Sequence, residues 1–243
     1  MAELSRPPGL PPLTRVGHKG ADRLERGNTP ESFEAALRVG VDMIEFDVLP
    51  LRDGRLVLAH DHEDAAECEP LSLAEGLDLL SGEAFADVEL NVDLKLPGYE
   101  REVLEGLEAR GLSGRALISS TFPQSLARIG ELASGVPRGW SIPRASRDYT
   151  RTVWALPAYG YVRYLRARLP RRAGAALRAG RCEVLAAHWL LASAALVRAV
   201  HRAGGRLFVW TVDDRARIER LAALGVDGVI SNDPRLFGPR PAR

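Results

Sequence analysis

The 243-residue sequence has no apolar run near the roughly 18 residues needed to cross a bilayer, so no transmembrane helix is predicted. Its first residues lack the basic-then-apolar order of a secretory signal, and a cytoplasmic location is expected. Cysteine is scarce. Cys68 and Cys182 alone cannot build a disulfide framework, which agrees with a reduced compartment. Neither sign of charge dominates, with a formal net charge of +1, and this argues against general nucleic-acid binding. Locally the absences are lopsided. Residues 61–93 hold eleven acids and no Lys or Arg, whereas residues 138–181 hold eleven arginines and a single acid, Asp148. Tyr149, Trp154, Tyr159, Tyr161 and Tyr164 lie among those arginines, and the mixture suits peripheral contact with an anionic membrane through residues 144–181. The competing expectation is a solvated helical excursion whose aromatics pack on the fold.

What is present is a regular alternation. Short β-rich runs ("LTRVGH", "DMIEFDV", "VELNVDLK", "RALISST", "PRGWSIP", "CEVLAAHW", "RLFVWTV", "DGVISN") are separated for most of the chain by helical patterns of 10–15 residues. The first of these, "TPESFEAALRVG", has Thr29 as its cap and Pro30 at its first position. Such alternation implies right-handed βαβ units and a parallel sheet. Eight strands are the number that closes a (β/α)8 TIM barrel, and a doubly wound open sheet is the competing architecture. A single barrel domain is expected over residues 14–243, after a disordered or extended N-terminal tail at 1–13. The stretch from 144 to about 180 reads as long and irregular, broken by Pro157, Gly160 and Pro170.

The densest chemistry is in "GVDMIEFDVLPLRDGRLVLAHDHE", residues 40–63. Asp53-Gly54 between alternating apolar residues predicts a β-hairpin following the second strand. If those two are the turn residues, cross-strand partners sum to 107 and Asp47 faces His60. Residues two apart share a strand face, so Glu45, Asp47 and His60 converge. Clustered carboxylates repel one another, and a divalent cation resolves the conflict; an all-oxygen set suits Mg2+, Ca2+ or Mn2+. His18 and Lys19 end the first strand in "VGHKG", where Gly17 and Gly20 permit close backbone approach. Asp93 and Lys95 end a later one, again two apart. Each residue alone has a plain structural explanation. Three carboxylates, two histidines and two lysines from three successive barrel strands point to one rim site.

In order and spacing, His18-Lys19-Gly20, "GNTPESF", Glu45-Phe46-Asp47, Asp53-Gly54, His60-Asp61, Asp93-Leu94-Lys95, "VWTVDD" and "GVDGVISNDP" resemble the glycerophosphodiester phosphodiesterase family. The resemblance implies hydrolysis of a small-molecule glycerophosphodiester to sn-glycerol 3-phosphate and an alcohol. It implies that Glu45, Asp47 and Asp93 hold one divalent cation and that His18 and His60 are the acid–base pair. Lys19, Lys95, Asn28 and Trp210 would serve phosphate and substrate. Asp61 is expected to orient its neighbours, and Asn232 and Asp233 to shape a turn. His62, His188 and His201 have no partner that the sequence names.

Three residues depart from the family pattern: Lys19 stands for arginine, Asp93 for glutamate, and Gly27 for the glutamate of E-N-T. Only about thirty residues separate His60-Asp61 from Asp93, which implies a more open mouth. Two alternatives follow. One is a lysophospholipase D acting on membrane lysophospholipids. The other is a catalytically weak protein that binds phosphorylated head groups.

Overall fold

The computed structural model describes Leu4, residues 6–143 and residues 155–238, with the backbone alone for 155–159. The chain opens with β1 (Thr14–Gly17), α1 (Pro30–Val39), β2 (Met43–Pro50) and β3 (Leu56–Val57). Two helices follow in the acidic stretch, α2 (His62–Glu67) and α3 (Leu73–Leu80). Strand and helix then alternate: β4 (Glu89–Leu94), α4 (Glu100–Glu108), β5 (Ala116–Ser120), α5 (Pro123–Leu132) and β6 (Arg138–Ile142). The remainder is α6 (Ala155–Arg178), β7 (Val184–His188), α7 (Ala194–Arg202), β8 (Arg206–Trp210), α8 (Arg215–Leu224) and β9 (Gly228–Ser231).

Neighbouring strands run β1-β9-β8-β7-β6-β5-β4-β2, and β1 pairs back onto β2 through Val16–Met43 and Gly17–Ile44. This is a closed barrel of eight parallel strands with helices between them. β3 lies outside it, antiparallel on the end of β2. Helix α1 begins as its sequence predicts: the Thr29 hydroxyl accepts from Ser32 N, and the Ser32 side chain returns to the Thr29 backbone. In the N-terminal stretch, the Arg6 guanidinium donates to Val226 O at 2.7 Å and Leu13 is buried.

Polarity inside the barrel changes along its axis. Val16, Met43, Leu117, Val184, Ala186, Phe208 and Ile230 form an apolar plug. Gly228 makes room for it, since a Cβ there would lie 2.8 Å from the Phe208 ring. Two residues further along the same inner faces, Met43 gives way to Glu45 and then Asp47, and Leu117 to Ser119. Strand period therefore lifts these polar side chains to the carboxyl-end rim, above an apolar floor.

Two expectations need correction. The hairpin pairs Leu49 with Val57 and Pro50 with Leu56, so partners sum to 106 rather than 107. The loop has three residues, Arg52-Asp53-Gly54: Leu51 N donates to Arg55 O at 2.8 Å, Gly54 N to Leu51 O at 3.0 Å, and Gly54 has φ +87°. A type I turn closed by a left-handed glycine gives this geometry. β3 stops at Val57, and Asp47 does not face His60 across a ladder.

The second correction concerns residues 155–178: they form one helix of 24 residues, as the helical-excursion expectation has it and the irregular reading does not. Leu165, Leu169, Ala173, Ala176 and Leu177 build a buried stripe along it, and that packing outweighs the hydrogen bond lost at Pro170. Tyr149 and Trp154 lie outside the described residues.

Cys182, just before β7, is 2% exposed, while Cys68 is exposed. Burial, reinforced by Glu183, pushes the Cys182 thiol up to about 11. A disulfide reagent at neutral pH is therefore expected to titrate one thiol in the native protein and two after guanidinium unfolding. As pH climbs from the ordinary thiol value of 9 toward 11, the unfolded chain loses this proton while the folded chain keeps it, so this group's contribution to stability falls across that window.

Candidate functional site

The rim opens into a cavity of about 440 Å³ bordered by His18, Glu45, His60, Asp93, Lys95 and Trp210. Asp47 lies against them with its side chain fully buried. One oxygen each of Glu45, Asp47 and Asp93 lie within 4.8 Å of one another. Lys95 Nζ sits 2.5 Å from an Asp47 oxygen and 2.8 Å from an Asp93 oxygen. Burial alone would lower the Lys95 pKa, but Asp47, Asp93 and Glu45 hold it above its ordinary value. Burial, then the Asp47 charge, pushes Glu45 well above the usual carboxylate range. Asp47 goes the other way: despite its burial, Lys95 and the two imidazoles keep it below that range. With all three carboxylates ionised, the state a bound cation would enforce on Glu45, they and one ammonium sum to −3 + 1 = −2, which one divalent ion would balance. The donor set is oxygen only, so the residues fit a hard cation such as Mg2+, Ca2+ or Mn2+.

A backbone collar sets these carboxylates. A Cβ on Gly17 would run into the Gly20 carbonyl, so the chain folds sharply back after His18. Lys19 is left with φ +50°, and its N–H donates to a Glu45 oxygen at 2.9 Å. Asn28, at φ +60°, clamps Asp47 twice: its amide nitrogen donates to the carboxylate and its oxygen accepts Asp47 N, each at 3.1 Å. Ser119 Oγ donates to Asp93 at 2.7 Å from the adjacent strand, bracing the shorter arm of this aspartate. Replacing Asn28 by glycine keeps the positive φ and removes the clamp. The variant is expected to bind Mn2+ or Ca2+ about 10- to 100-fold more weakly by calorimetry while remaining folded.

His18 is held from behind. Asn232 donates through its amide nitrogen to Asp213 at 2.6 Å, which fixes the amide so that its oxygen faces His18 Nδ1 at 2.5 Å. Nδ1 must then carry the proton, leaving the Nε2 lone pair toward the cavity and 3.8 Å from Glu45. Burial lowers the His18 pKa, with Asp47 and Asn232 opposing, so the ring is neutral near pH 7. His60 stands at the outer lip, about half exposed, with Nδ1 3.1 Å from Asp61. Asp61 in turn caps α2, accepting from Glu63 N and Asp64 N. Both imidazoles border the same cavity although no ladder joins His60 to Asp47.

Besides the fully buried Asp47, two expected site residues do not border the cavity. The Lys19 ammonium pairs with Asp22 at 2.8 Å, and Asn28 stands behind Asp47. Asp22 also explains Gly27: its carboxylate accepts from Gly27 N at 2.9 Å, and a Cβ at 27 would lie 2.5 Å from it. The acid beside Lys19 thus comes from position 22. Among the other histidines, His62 reaches the cavity mouth, His188 packs edge-on against Trp210 at 5.3 Å, and His201 pairs with Asp227.

The sequence reading missed Asn91, Ser119, Asp213 and the role of Asn232. Asn91 shares strand parity with Asp93 and Lys95, which is the signal that would have found it. Its Oδ1 and the Nε1 of Trp210 are buried without a hydrogen-bond partner among the described residues, and both side chains border the cavity. Buried polar atoms without partners are costly, so the pair marks where a ligand's polar groups would be received.

Comparison with known proteins places this geometry in context. The sequence model of the Glycerophosphoryl diester phosphodiesterase family matches residues 18–68 and 83–236. A glycerophosphodiester phosphodiesterase of Caldanaerobacter subterraneus is 24% identical over 251 residues, covering 90% of this chain and 93% of that protein. The crystal structure of a glycerophosphodiester phosphodiesterase from Parabacteroides distasonis superposes with a TM-score of 0.71 at 18% identity, covering 91% of this chain and 93% of that one. An Oleispira antarctica phosphodiesterase, solved in complex with the product sn-glycerol-3-phosphate, superposes at 0.69 with 21% identity, covering 94% and 95%.

Proposed function

The chain belongs to the glycerophosphoryl diester phosphodiesterase family and is a phosphoric diester hydrolase, and from that premise we propose that it cleaves glycerophosphodiesters to sn-glycerol 3-phosphate and an alcohol by metal-assisted His18/His60 catalysis. The observation that carries this reading is the convergence of three carboxylates, one lysine and two imidazoles on one cavity inside the matched span. Glu45, Asp47 and Asp93 would hold a divalent cation, whose chemistry is to neutralise phosphoryl oxygens and stabilise transition-state charge. Lys95 adds a fixed positive charge beside the phosphate. His18, with its Nδ1 proton tied to Asn232, takes a proton through Nε2 from the attacking water. The new bond forms between that oxygen and phosphorus as the bond to the alcohol oxygen breaks, and His60 returns a proton to the departing oxygen. Trp210 Nε1 would donate to an oxygen of the glycerol or phosphate.

A coupled assay for glycerol 3-phosphate, run on several glycerophosphodiesters with and without EDTA, tests the reading. Turnover is expected with the cation and near-complete loss in EDTA, restored by excess Mg2+, Ca2+ or Mn2+; turnover that survives exhaustive chelation would refute the metal role.

A second reading, lysophospholipase D action at a membrane, draws support from α6. Tyr161 and Tyr164 are the exposed large hydrophobic residues among those described; they stack at 6.5 Å, and Arg168 lies over Tyr164. Among the described residues no helix is long and apolar enough to cross a membrane, so any contact of this kind would be peripheral. Lysolipid turnover in the same assay, together with flotation on anionic vesicles, separates the two substrates. We read the compartment as cytoplasmic from the scarcity of cysteine.

A further inference from the structure

Between residues 155 and 206 the chain holds ten arginines and one acid, Glu183, and Glu183 is taken by Arg138 at 2.7 Å. Four of those arginines, all exposed, border one slot. Arg171 and Arg178 lie seven apart on α6, Arg198 and Arg202 four apart on α7, and these spacings put each pair on one helix face. The four border a slot of about 330 Å³ between the helices, whose floor is small: Gly174, Ala195 and Ala199. A Cβ on Gly174 would come to 3.2 Å from the Arg178 guanidinium, so this glycine keeps the slot open. No carboxylate borders it, and none of the four guanidiniums has a hydrogen bond or ion pair among the described residues. No residue lines both the slot and the catalytic cavity.

Four like charges around one small space repel, and an i,i+4 arginine pair weakens its own helix. Placement at a helix C-terminus accounts for Arg178 and Arg202, where the dipole favours cations, but not for Arg171, two turns inside α6. Guanidinium is also the side chain whose fork matches phosphate oxygens two at a time. At about 330 Å³ the slot has room for one or two phosphate groups with bound water.

We propose that the α6–α7 slot is a second binding site, separate from catalysis, for a multiply charged phosphate group, carried either by a free anion or by an anionic lipid headgroup. The test uses the full chain in EDTA at low salt, with pyrophosphate as the calorimetric probe and phosphatidylcholine vesicles containing phosphatidic acid for flotation. Two double substitutions, Arg171→Gln with Arg198→Gln and Arg178→Gln with Arg202→Gln, keep most of the side-chain bulk and remove the charge. Each is expected to weaken the wild-type interaction at least about tenfold, leaving kcat and KM for the diester unchanged. Pyrophosphate binding without vesicle retention identifies a free anion as the source. Vesicle retention that pyrophosphate reverses identifies a headgroup. The His18→Ala variant must bind as the wild type does, because a loss there would assign the binding to the catalytic cavity and overturn the proposal. Wild type that neither binds pyrophosphate nor floats, or double variants that behave as wild type, would overturn it as well.

Discussion

Replacing His18 by alanine is expected to lower kcat by at least about a hundredfold whatever the leaving group, whereas His60→Ala should do so only when the leaving alcohol is a poor one. The difference follows from where the two rings sit. His18 is partly buried, neutral and pinned through Asn232 and Asp213, with a lone pair facing the cavity; that is the state a general base requires. His60 is at the solvent lip with Asp61 behind Nδ1, positioned to meet the departing group and recharge from water. A diester with a p-nitrophenyl leaving group needs no protonation as it departs. With that substrate His60→Ala should recover most of its rate and His18→Ala should recover none. Equal losses for both variants on both substrates would refute the assignment of roles. Thermal unfolding within a few degrees of wild type is the control that the fold has survived.

How much of this was legible in the sequence depended on whether a feature was local. Glu45 with Asp47, and Asp93 with Lys95, were placed correctly relative to each other because strand parity needs no knowledge of neighbours. Parity also rescued the site from the wrong hairpin register: Glu45 and Asp47 stay on the inner face whatever β3 does. The register itself failed because a glycine after an aspartate fits either a two-residue turn or a three-residue turn with a left-handed third position, and only the strands' twist decides between them. Asn232 was out of reach for a different reason. It lies 214 residues from His18, and only closure of the barrel, which makes β9 the neighbour of β1, brings them together. Helix α6 was obscured by Pro170 and a crowd of arginines, since its buried stripe declares itself only against α7. The lysine at 19 and glycine at 27 looked like two independent losses; Asp22, filling the space between them, makes them one local rearrangement.

Lys95→Met is expected to destabilise the metal-free protein by about 3–5 kcal/mol, the range for removing one partner from a buried charge pair. Lys95 contacts Asp47 and Asp93 directly and is the ammonium that holds their charge in check, while the Lys19 ammonium is drawn off to Asp22. Methionine fills a similar volume, so the loss reports charge rather than packing. For a chain of this length about 2–4 °C accompanies each kcal/mol, and the melting temperature in EDTA should drop by about 10 °C. The deficit should then shrink as divalent cation is added, because a site with one less positive charge binds the ion more strongly, and saturation at a hundred times Kd contributes about 2.7 kcal/mol. Wild type should gain less from the same titration, since its lysine already offsets part of the charge. Hydrolysis should stay low even when stability is restored, because the fixed charge beside the phosphate is gone. An unchanged melting temperature in EDTA would mean that the three carboxylates do not depend on Lys95, and the charge count from which the cation was inferred would fall with it.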